Sequence, residues 1–248
     1  MGGLFRRPSL VKALILAAGE GQRLRPLTLD RPKPMLPVGD RPLLEWIITL
    51  LKQHGIADIA INLHYKPWSI IQRFGRGDAW GVCLRYSVEE QLLGSAGAAR
   101  RLDWYWGGEP FVVFYGDLYT NLDIGQLIAT HRRENAWITM ALYEVDNPTA
   151  CGIVALNERG HVVRFVEKPR PEQVFSHLAN AGVFVVQSQV LDLVPPKTPC
   201  DFGHDLFPKM LAMSLPILGV PIQEWLIDIG TPENYQRAQE MAEHQAKV

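Results

Sequence analysis

Residues 11–18 read V-K-A-L-I-L-A-A, an almost unbroken apolar run stopped by Gly19. A strand with one wet face alternates polar and apolar residues. A continuous run belongs to a strand buried on both faces, as in a parallel sheet covered by helices. Residues 56–63 and 111–114 have the same character, and amphipathic helical patterns lie between such runs. Pro42 opens a helix to about His54, with Leu43, Leu44, Ile47, Ile48 and Leu51 on one side and Gly55 at its end. Further helices are expected over 68–74, from 94 to 102, and over 122–134, 206–213 and 232–244. Further strands are expected over 82–88, 138–144 and 181–186. Residues 152–156 and 162–166 read as a hairpin around 157–160. Strands alternating with helices give an α/β sheet, and the hairpin makes it a mixed one. No internal repeat, heptad or linker divides the chain. Residues 1–9 read as a loose leader and 10–248 as one domain, a size that 248 residues allow.

Composition narrows the function by exclusion. With a formal net charge of −1, nothing points to nucleic acid or an anionic membrane as partner, so any phosphate binding must rest on a few placed Lys and Arg side chains. The apolar runs are too short to span a bilayer. Three widely spaced cysteines (Cys83, Cys151 and Cys200) form no C-x-x-C pair, which argues against a disulfide framework or structural zinc and fits a reducing cytoplasm.

The densest chemistry follows the first strand. Residues 16–28 read L-A-A-G-E-G-Q-R-L-R-P-L-T, and 31–37 read R-P-K-P-M-L-P. Gly19 and Gly21 let the backbone approach a ligand and aim N–H groups at phosphate oxygens. Arg23 and Arg25 can add charge-assisted hydrogen bonds, and Lys33 is held between prolines. The segment is no Walker A loop, since Gly-Lys-Ser/Thr is absent. Nor is it a dinucleotide fingerprint, because the third glycine is missing and Pro26 would break the helix that fingerprint needs. A Gly-x-Gly turn with solvated arginines is the plain alternative.

Two carboxylates stand out. The strand at 111–115 runs into Gly116-Asp117, and strand ends are where α/β sheets bind ligands. Asp228 lies in W-L-I-D-I-G-T, an apolar stretch that a lone carboxylate would not choose. Two aspartates and a triphosphate would supply the hard oxygens that Mg²⁺ prefers. Taken singly, Asp117 could be a turn or helix-cap residue and Asp228 a buried partner of an arginine.

The full series L-A-A-G-x-G-x-R-L-x-P-L-T and P-K-P-M-L-P-V resembles the signature of the sugar-phosphate nucleotidyltransferases. That family includes mannose-1-phosphate guanylyltransferases and glucose-1-phosphate uridylyl- and thymidylyltransferases. The later segments E-E-Q-L-L-G-S-A-G (89–97), F-Y-G-D (114–117), C-G-I-V (151–154), V-E-K-P (166–169), N-A-G (180–182) and W-L-I-D-I-G match in order, so the resemblance runs from about Val11 to about Ala238. It implies a single Rossmann-like three-layer α/β domain with a mixed, mostly parallel central sheet, of the nucleotide-diphospho-sugar transferase type. The activity implied is that of EC class 2.7.7: a nucleoside triphosphate and a sugar 1-phosphate give a nucleotide sugar and pyrophosphate, with Mg²⁺.

By position, the resemblance implies that Leu16, Ala17, Ala18, Gly19, Gly21, Glu89, Gly94 and Gly116 meet the nucleotide. Arg23 grips the departing pyrophosphate and Lys33 bridges the phosphates. Asp117 and Asp228 hold the metal. Gly152, Glu167, Lys168 and Asn180 line the sugar-phosphate pocket, where Lys168 can bind the phosphate and Glu167 can accept from sugar hydroxyls. Gln22 and Ser95 stand where threonine is usual, and Cys151 where tyrosine is. The spelling points to GTP and mannose 1-phosphate; relatives that use UTP or dTTP with glucose, heptose or muramic acid phosphates share much of it. No C-terminal hexapeptide β-helix is visible after Asp228, so acetyl transfer is not expected. The expected partners are small-molecule substrates, in the cytoplasm, and a homodimer is the one assembly considered. Two readings of other classes compete. One is a non-catalytic nucleotide-sugar-binding regulatory subunit; the intact Arg23, Lys33, Asp117, Lys168 and Asp228 oppose it. The other is a metal-dependent glycosyltransferase, whose Asp-x-Asp is missing at Asp117-Leu-Tyr119.

Overall fold

A computed structural model describes residues 11–245; the proposed leader at 1–9 lies outside the described residues. The strands in chain order are β1 (Lys12–Leu16), β2 (Pro37–Val38), β3 (Arg41–Pro42), β4 (Asp58–Leu63), β5 (Cys83–Val88), β6 (Phe111–Tyr115) and β7 (Leu118–Thr120). They continue with β8 (Ile138–Glu144), β9 (Gly152–Leu156), β10 (Val162–Glu167), β11 (Leu178–Val186), β12 (Ile217–Pro221) and β13 (Leu226–Asp228). Nine of them form one sheet in the order β10-β9-β11-β6-β1-β4-β5, with β8 branching from β11 and carrying β12. Following the pairings, only β10 and β11 run against β1, so the sheet is mixed and mostly parallel, as the resemblance implies.

Burial explains the apolar runs. Ala13, Leu14 and Ile15 are all 0% exposed, yet they face two different cores. Ala13, Ile15, Val112 and Phe114 pack with Leu43, Leu44, Ile47, Ile48 and Leu51 of helix Leu43–Gln53. Leu14, Phe111 and Val113 pack on the other side with Ala96 and Ala99 of helix Gly94–Arg101 and with Phe202 and Phe207. This alternation of side chains between two apolar layers is what a doubly covered strand requires.

Several elements depart from the sequence expectation. Strand β11 begins at Leu178, and β2, β3, β7, β12 and β13 are additional. They are short or lie at the margins, where the apolar pattern is weak. The expected helix at 206–213 is Phe207–Ala212, preceded by one π-helical turn, Phe202–Leu206. The loop at 19–37 stays irregular apart from two 3₁₀ turns and β2.

Candidate active site

The carboxyl ends of β1, β4, β5 and β6 lie along one edge of the sheet, since these strands run parallel. After β1, the chain crosses the end of β6 closely. A Cβ on Gly116 would sit 2.6 Å from the Leu16 carbonyl, whose oxygen accepts the Gly116 N–H at 2.9 Å. Gly21 is left-handed (φ +66°), and Thr28 donates its hydroxyl to the Gly21 carbonyl, closing the loop on itself. A Cβ on Gly19 would meet nothing within 4 Å, so that backbone is open to a ligand. A niche of about 60 Å³ there is lined by Leu16, Ala17, Gly19, Lys33, Gly116 and Asp117, together with Pro34.

Asn62, at the end of β4, fixes this loop from behind. Its side-chain oxygen accepts the Ala17 N–H at 2.9 Å, and its amide donates to Glu89 at 3.0 Å. Glu89 is 2% exposed, and its second carboxylate oxygen accepts the Leu93 N–H. Both oxygens are thus engaged inside the protein, and Glu89 braces the loop that leads to Gly94. Gly94 (φ +72°) is pressed against the Cys200 backbone. Ala18 and Gly21 belong to the same wall without lining the niche.

The two aspartates, remote in sequence, are joined by a small ribbon. Strand β13 pairs antiparallel with β7, with Asp228 opposite Leu118, and Ile229 N–H donates to the Asp117 carbonyl. Lys33 Nζ donates to Asp117 Oδ2 at 2.7 Å. Asp228 accepts the Gly230 N–H at 2.7 Å, and the Arg23 guanidinium lies beside Gly230. Burial and the charge of Asp117 push the Asp228 carboxyl up to about 6, against the opposing pull of Lys33, Gly230 N–H and Arg23. Two carboxylates under mutual repulsion favour a cation between them. Among the described residues no third carboxylate, imidazole or thiolate joins them. A hard dication here would therefore draw the rest of its shell from substrate oxygens and water, which suits Mg²⁺.

Beside the niche, and sharing Asp117 with it, opens a cleft of about 360 Å³. Arg23, Asp117 and Asp228 form one side of its lining; Gly152, Glu167, Lys168 and Asn180 belong to the other. The second wall has its own logic. Glu167 at the end of β10 lies opposite Gly152 at the start of β9. Its Oε2 would be 2.5 Å from a Cβ at Gly152 and 2.6 Å from one at Gly203, so two glycines cradle the carboxylate. Burial raises the Glu167 pKa, and Lys168 and His204 oppose the shift. Lys168 adopts φ +46°, which turns the chain at the strand end. Asn180 accepts the Gly182 N–H at 3.0 Å across an irregularity in β11, with Gly182 at φ +72°. Bulges of this kind re-aim side chains next to sites.

The cleft also contains residues that the sequence did not single out. Asp201 accepts from both the backbone and the hydroxyl of Ser95, at 3.1 and 2.9 Å, tying the far wall to the turn after Gly94. Gly203 and His204 come from the π-helical turn, a distortion frequent at functional sites. Tyr115 and Tyr143 line the cleft with phenols whose pKa burial raises. Tyr143 lies 3.8 Å from Cys151 Sγ, so a hydroxyl stands next to the position where the usual tyrosine is absent. The glycine and histidine after Asp201 were the available signal; nothing in the sequence distinguishes Tyr143 from a core residue.

The comparisons with known proteins show the family and the fold. The family model described as nucleotidyl transferase matches residues 12–245. The chain is 34% identical over 242 residues to a UTP–glucose-1-phosphate uridylyltransferase of Synechocystis sp., covering 92% of this chain and 62% of that one. It is 35% identical over 231 residues to a mannose-1-phosphate guanylyltransferase of Mycobacterium tuberculosis, covering 92% and 63%. The chain thus spans less than two thirds of the length of these curated relatives. Among solved structures, a putative glucose-1-phosphate thymidylyltransferase from Bacillus anthracis, in complex with a sucrose, superposes with TM-score 0.85 at 27% identity, covering 94% of this chain and 95% of that one. HddC from Yersinia pseudotuberculosis, complexed with GMP-PN, superposes with TM-score 0.79 at 27% identity, covering 93% and 99%.

Proposed function

Since the chain belongs to the nucleotidyl transferase family, we propose that it is a sugar-1-phosphate nucleotidyltransferase, and that its substrates are GTP and mannose 1-phosphate. One observation carries the reading: Asp117 and Asp228 meet between Lys33 and Arg23 on one side, and Lys168, Glu167 and Asn180 face the same cleft from the other. A site with two sets of phosphate-binding groups flanking paired carboxylates suits a reaction between two phosphates.

In that reaction a phosphate oxygen of the sugar 1-phosphate attacks the α-phosphorus of the triphosphate. A new P–O bond forms as the bond to the bridging oxygen of pyrophosphate breaks, and that oxygen takes the electron pair. Lys168 holds the attacking phosphate, while Glu167, lying between Gly152 and Gly203, accepts from sugar hydroxyls. Lys33 and Arg23 stabilise the charge that accumulates on the departing pyrophosphate. The open backbone at Gly19 lets the loop lie against the nucleotide. Asp117 and Asp228 would hold Mg²⁺, which supplies charge neutralisation at the phosphates. No covalent enzyme intermediate is needed; positioning and electrostatics carry the rate.

The guanylyltransferase name of the Mycobacterium tuberculosis relative and the GMP-PN complex of HddC favour the guanine choice. The Synechocystis relative makes UTP and glucose 1-phosphate the ranked second choice. The test is a matrix of nucleoside triphosphates and dTTP against sugar 1-phosphates, followed by pyrophosphate release with Mg²⁺ or EDTA. Metal-dependent release with GTP and mannose 1-phosphate as the best pair is expected. A different best pair overturns the substrate choice. No release from any pair, alongside tight binding of a nucleotide sugar, overturns the enzyme reading in favour of a regulatory subunit.

A further inference from the structure

A larger cleft lies elsewhere. It measures about 570 Å³, a size typical of small-molecule sites, and shares no lining residue with the catalytic cleft or the niche. It is bounded by the end of β5, helix Gly94–Arg101 and the loop at 196–198. Strand alternation explains the separation: Glu89 turns inward to Asn62 and the nucleotide loop, so Val88, its neighbour on β5, faces the opposite way and is 41% exposed.

We propose that this cleft is a second binding site, for a phosphorylated small molecule that carries an apolar ring. Its lining holds three cations, Arg100, Arg101 and Lys197, against one carboxylate, Glu90. Arg100 is occupied by Asp103 at 2.9 Å and Asp192 at 3.3 Å. Arg101 makes one hydrogen bond to the Val88 carbonyl, at 3.3 Å, which leaves most of its guanidinium fork available. Lys197 has neither an ion pair nor a side-chain hydrogen bond among the described residues. It stands at φ +58°, an uncommon conformation for a lysine, in the sequence P-P-K-T-P, where prolines limit its freedom. Two available cations on a stiff frame suit a phosphate. Val88, Leu93 and Pro196 add an apolar face for a ring beside them. Unpaired cations flanking an apolar surface select a ligand that is part phosphate and part ring; a free inorganic ion would use only half of the cleft.

Binding in this cleft does not depend on the reaction proposed above, and its calorimetric test needs no turnover. Titration calorimetry with AMP as probe, and with inorganic phosphate in parallel, is done on Arg23→Ala/Lys168→Ala protein, whose catalytic cleft is weakened. One binding event for AMP is expected, falling with salt and at least tenfold weaker when Arg101→Ala and Lys197→Ala are added. Phosphate is expected to bind the same site more weakly. In otherwise unaltered protein, the Arg101→Ala/Lys197→Ala pair is expected to leave thermal unfolding and pyrophosphate release unchanged. Absence of AMP binding, AMP binding indifferent to the pair, or loss of pyrophosphate release from the folded pair variant would each overturn the proposal.

Discussion

The two walls of the cleft are built in opposite ways. The wall proposed to take the nucleotide is local: Leu16, Ala17, Gly19 and Lys33 of the niche and Arg23 of the cleft come from one stretch of chain, the end of β1 and the loop after it, braced from behind by Asn62 and Glu89. The wall proposed to take the sugar phosphate is assembled from the ends of β9 and β10, from β11 and from the turn at 201–204, and few neighbours in space are neighbours in sequence. A loop that makes its own contacts can keep its geometry when the rest of the site varies. A wall held by tertiary packing transmits each change to its partners, and the glycines around Glu167 show how little room it leaves. The walls meet at Asp117 and Asp228, which the β7–β13 ribbon brings together.

The sharpest break is at that joint. Asp117→Asn and Asp228→Asn are each expected to lower kcat by about a hundredfold or more, the scale of losing one key charge stabiliser. Steady-state pyrophosphate release measures it, and near-normal rates in both variants would remove the metal assignment. The same Asp228→Asn change is expected to raise the melting temperature at neutral pH. Its carboxyl has been raised by burial and by Asp117, so the ionised form destabilises the fold above pH of about 6 and the cost is relieved as pH falls. Loss of activity with gain of stability separates a functional charge from a structural one.

The nucleotide side was the more legible for a physical reason. Its glycines, arginines and lysine act through backbone conformation and local charge, which a short string records. The paired cores were legible too, because residues 13–15 of β1 and 111–114 of β6 are buried and all apolar. The far wall was read only where a strand end carries a distinctive string, at Glu167-Lys168 and at Asn180. Asp201, Gly203 and Tyr143 stayed hidden. Their roles depend on which strands adjoin β11 and on a π-helical turn, and neither leaves a periodic mark. Glu89 shows the converse: its string marked it as a residue facing the base, whereas packing turns both of its oxygens inward to Asn62 and the Leu93 N–H.

Two glycine substitutions sharpen the contrast between walls. Gly94→Ala places a Cβ 2.5 Å from the Cys200 carbonyl oxygen at φ +72°, and backbone cannot step aside. A stability loss of about 2 kcal/mol is expected from that strain, read by denaturant unfolding, together with a raised KM for the triphosphate. Gly203→Ala instead meets the far end of the Glu167 side chain at 2.6 Å, and a carboxylate can swing away. The expectation is a rise of about tenfold in KM for the sugar phosphate, one good hydrogen bond to a charged group being worth about 1.5 kcal/mol, with the triphosphate KM and the melting temperature nearly unchanged. Equal effects on both substrates would show that the walls are not independent.

The smallest expected effect lies outside the cleft. His131, on helix Ile124–Glu134, is 1% exposed and links β8 to the residue that follows β11: its Nδ1 lies 2.9 Å from the Thr139 hydroxyl, and its Nε2 lies 3.0 Å from the Gln187 amide. With the Gln187 amide donating, Nε2 must accept, so the ring is neutral and Nδ1–H donates to Thr139. Protonation would set N–H against N–H in a buried place, and burial lowers the His131 pKa from 6.5 to about 4. The unfolded chain therefore binds more protons between those values. Stability from this group is complete above the unfolded pKa and is lost as pH falls from there toward about 4. By pH 6 the loss should be about 1 kcal/mol, measured as the change in urea midpoint relative to pH 7.5. In His131→Gln, which keeps polar partners without a titrating ring, that part of the slope should vanish while the KM of either substrate stays as it was. A slope that survives in the variant would assign the acid sensitivity to other titrating groups, since the carboxylate joint gains stability as pH falls, and would leave His131 a packing residue only.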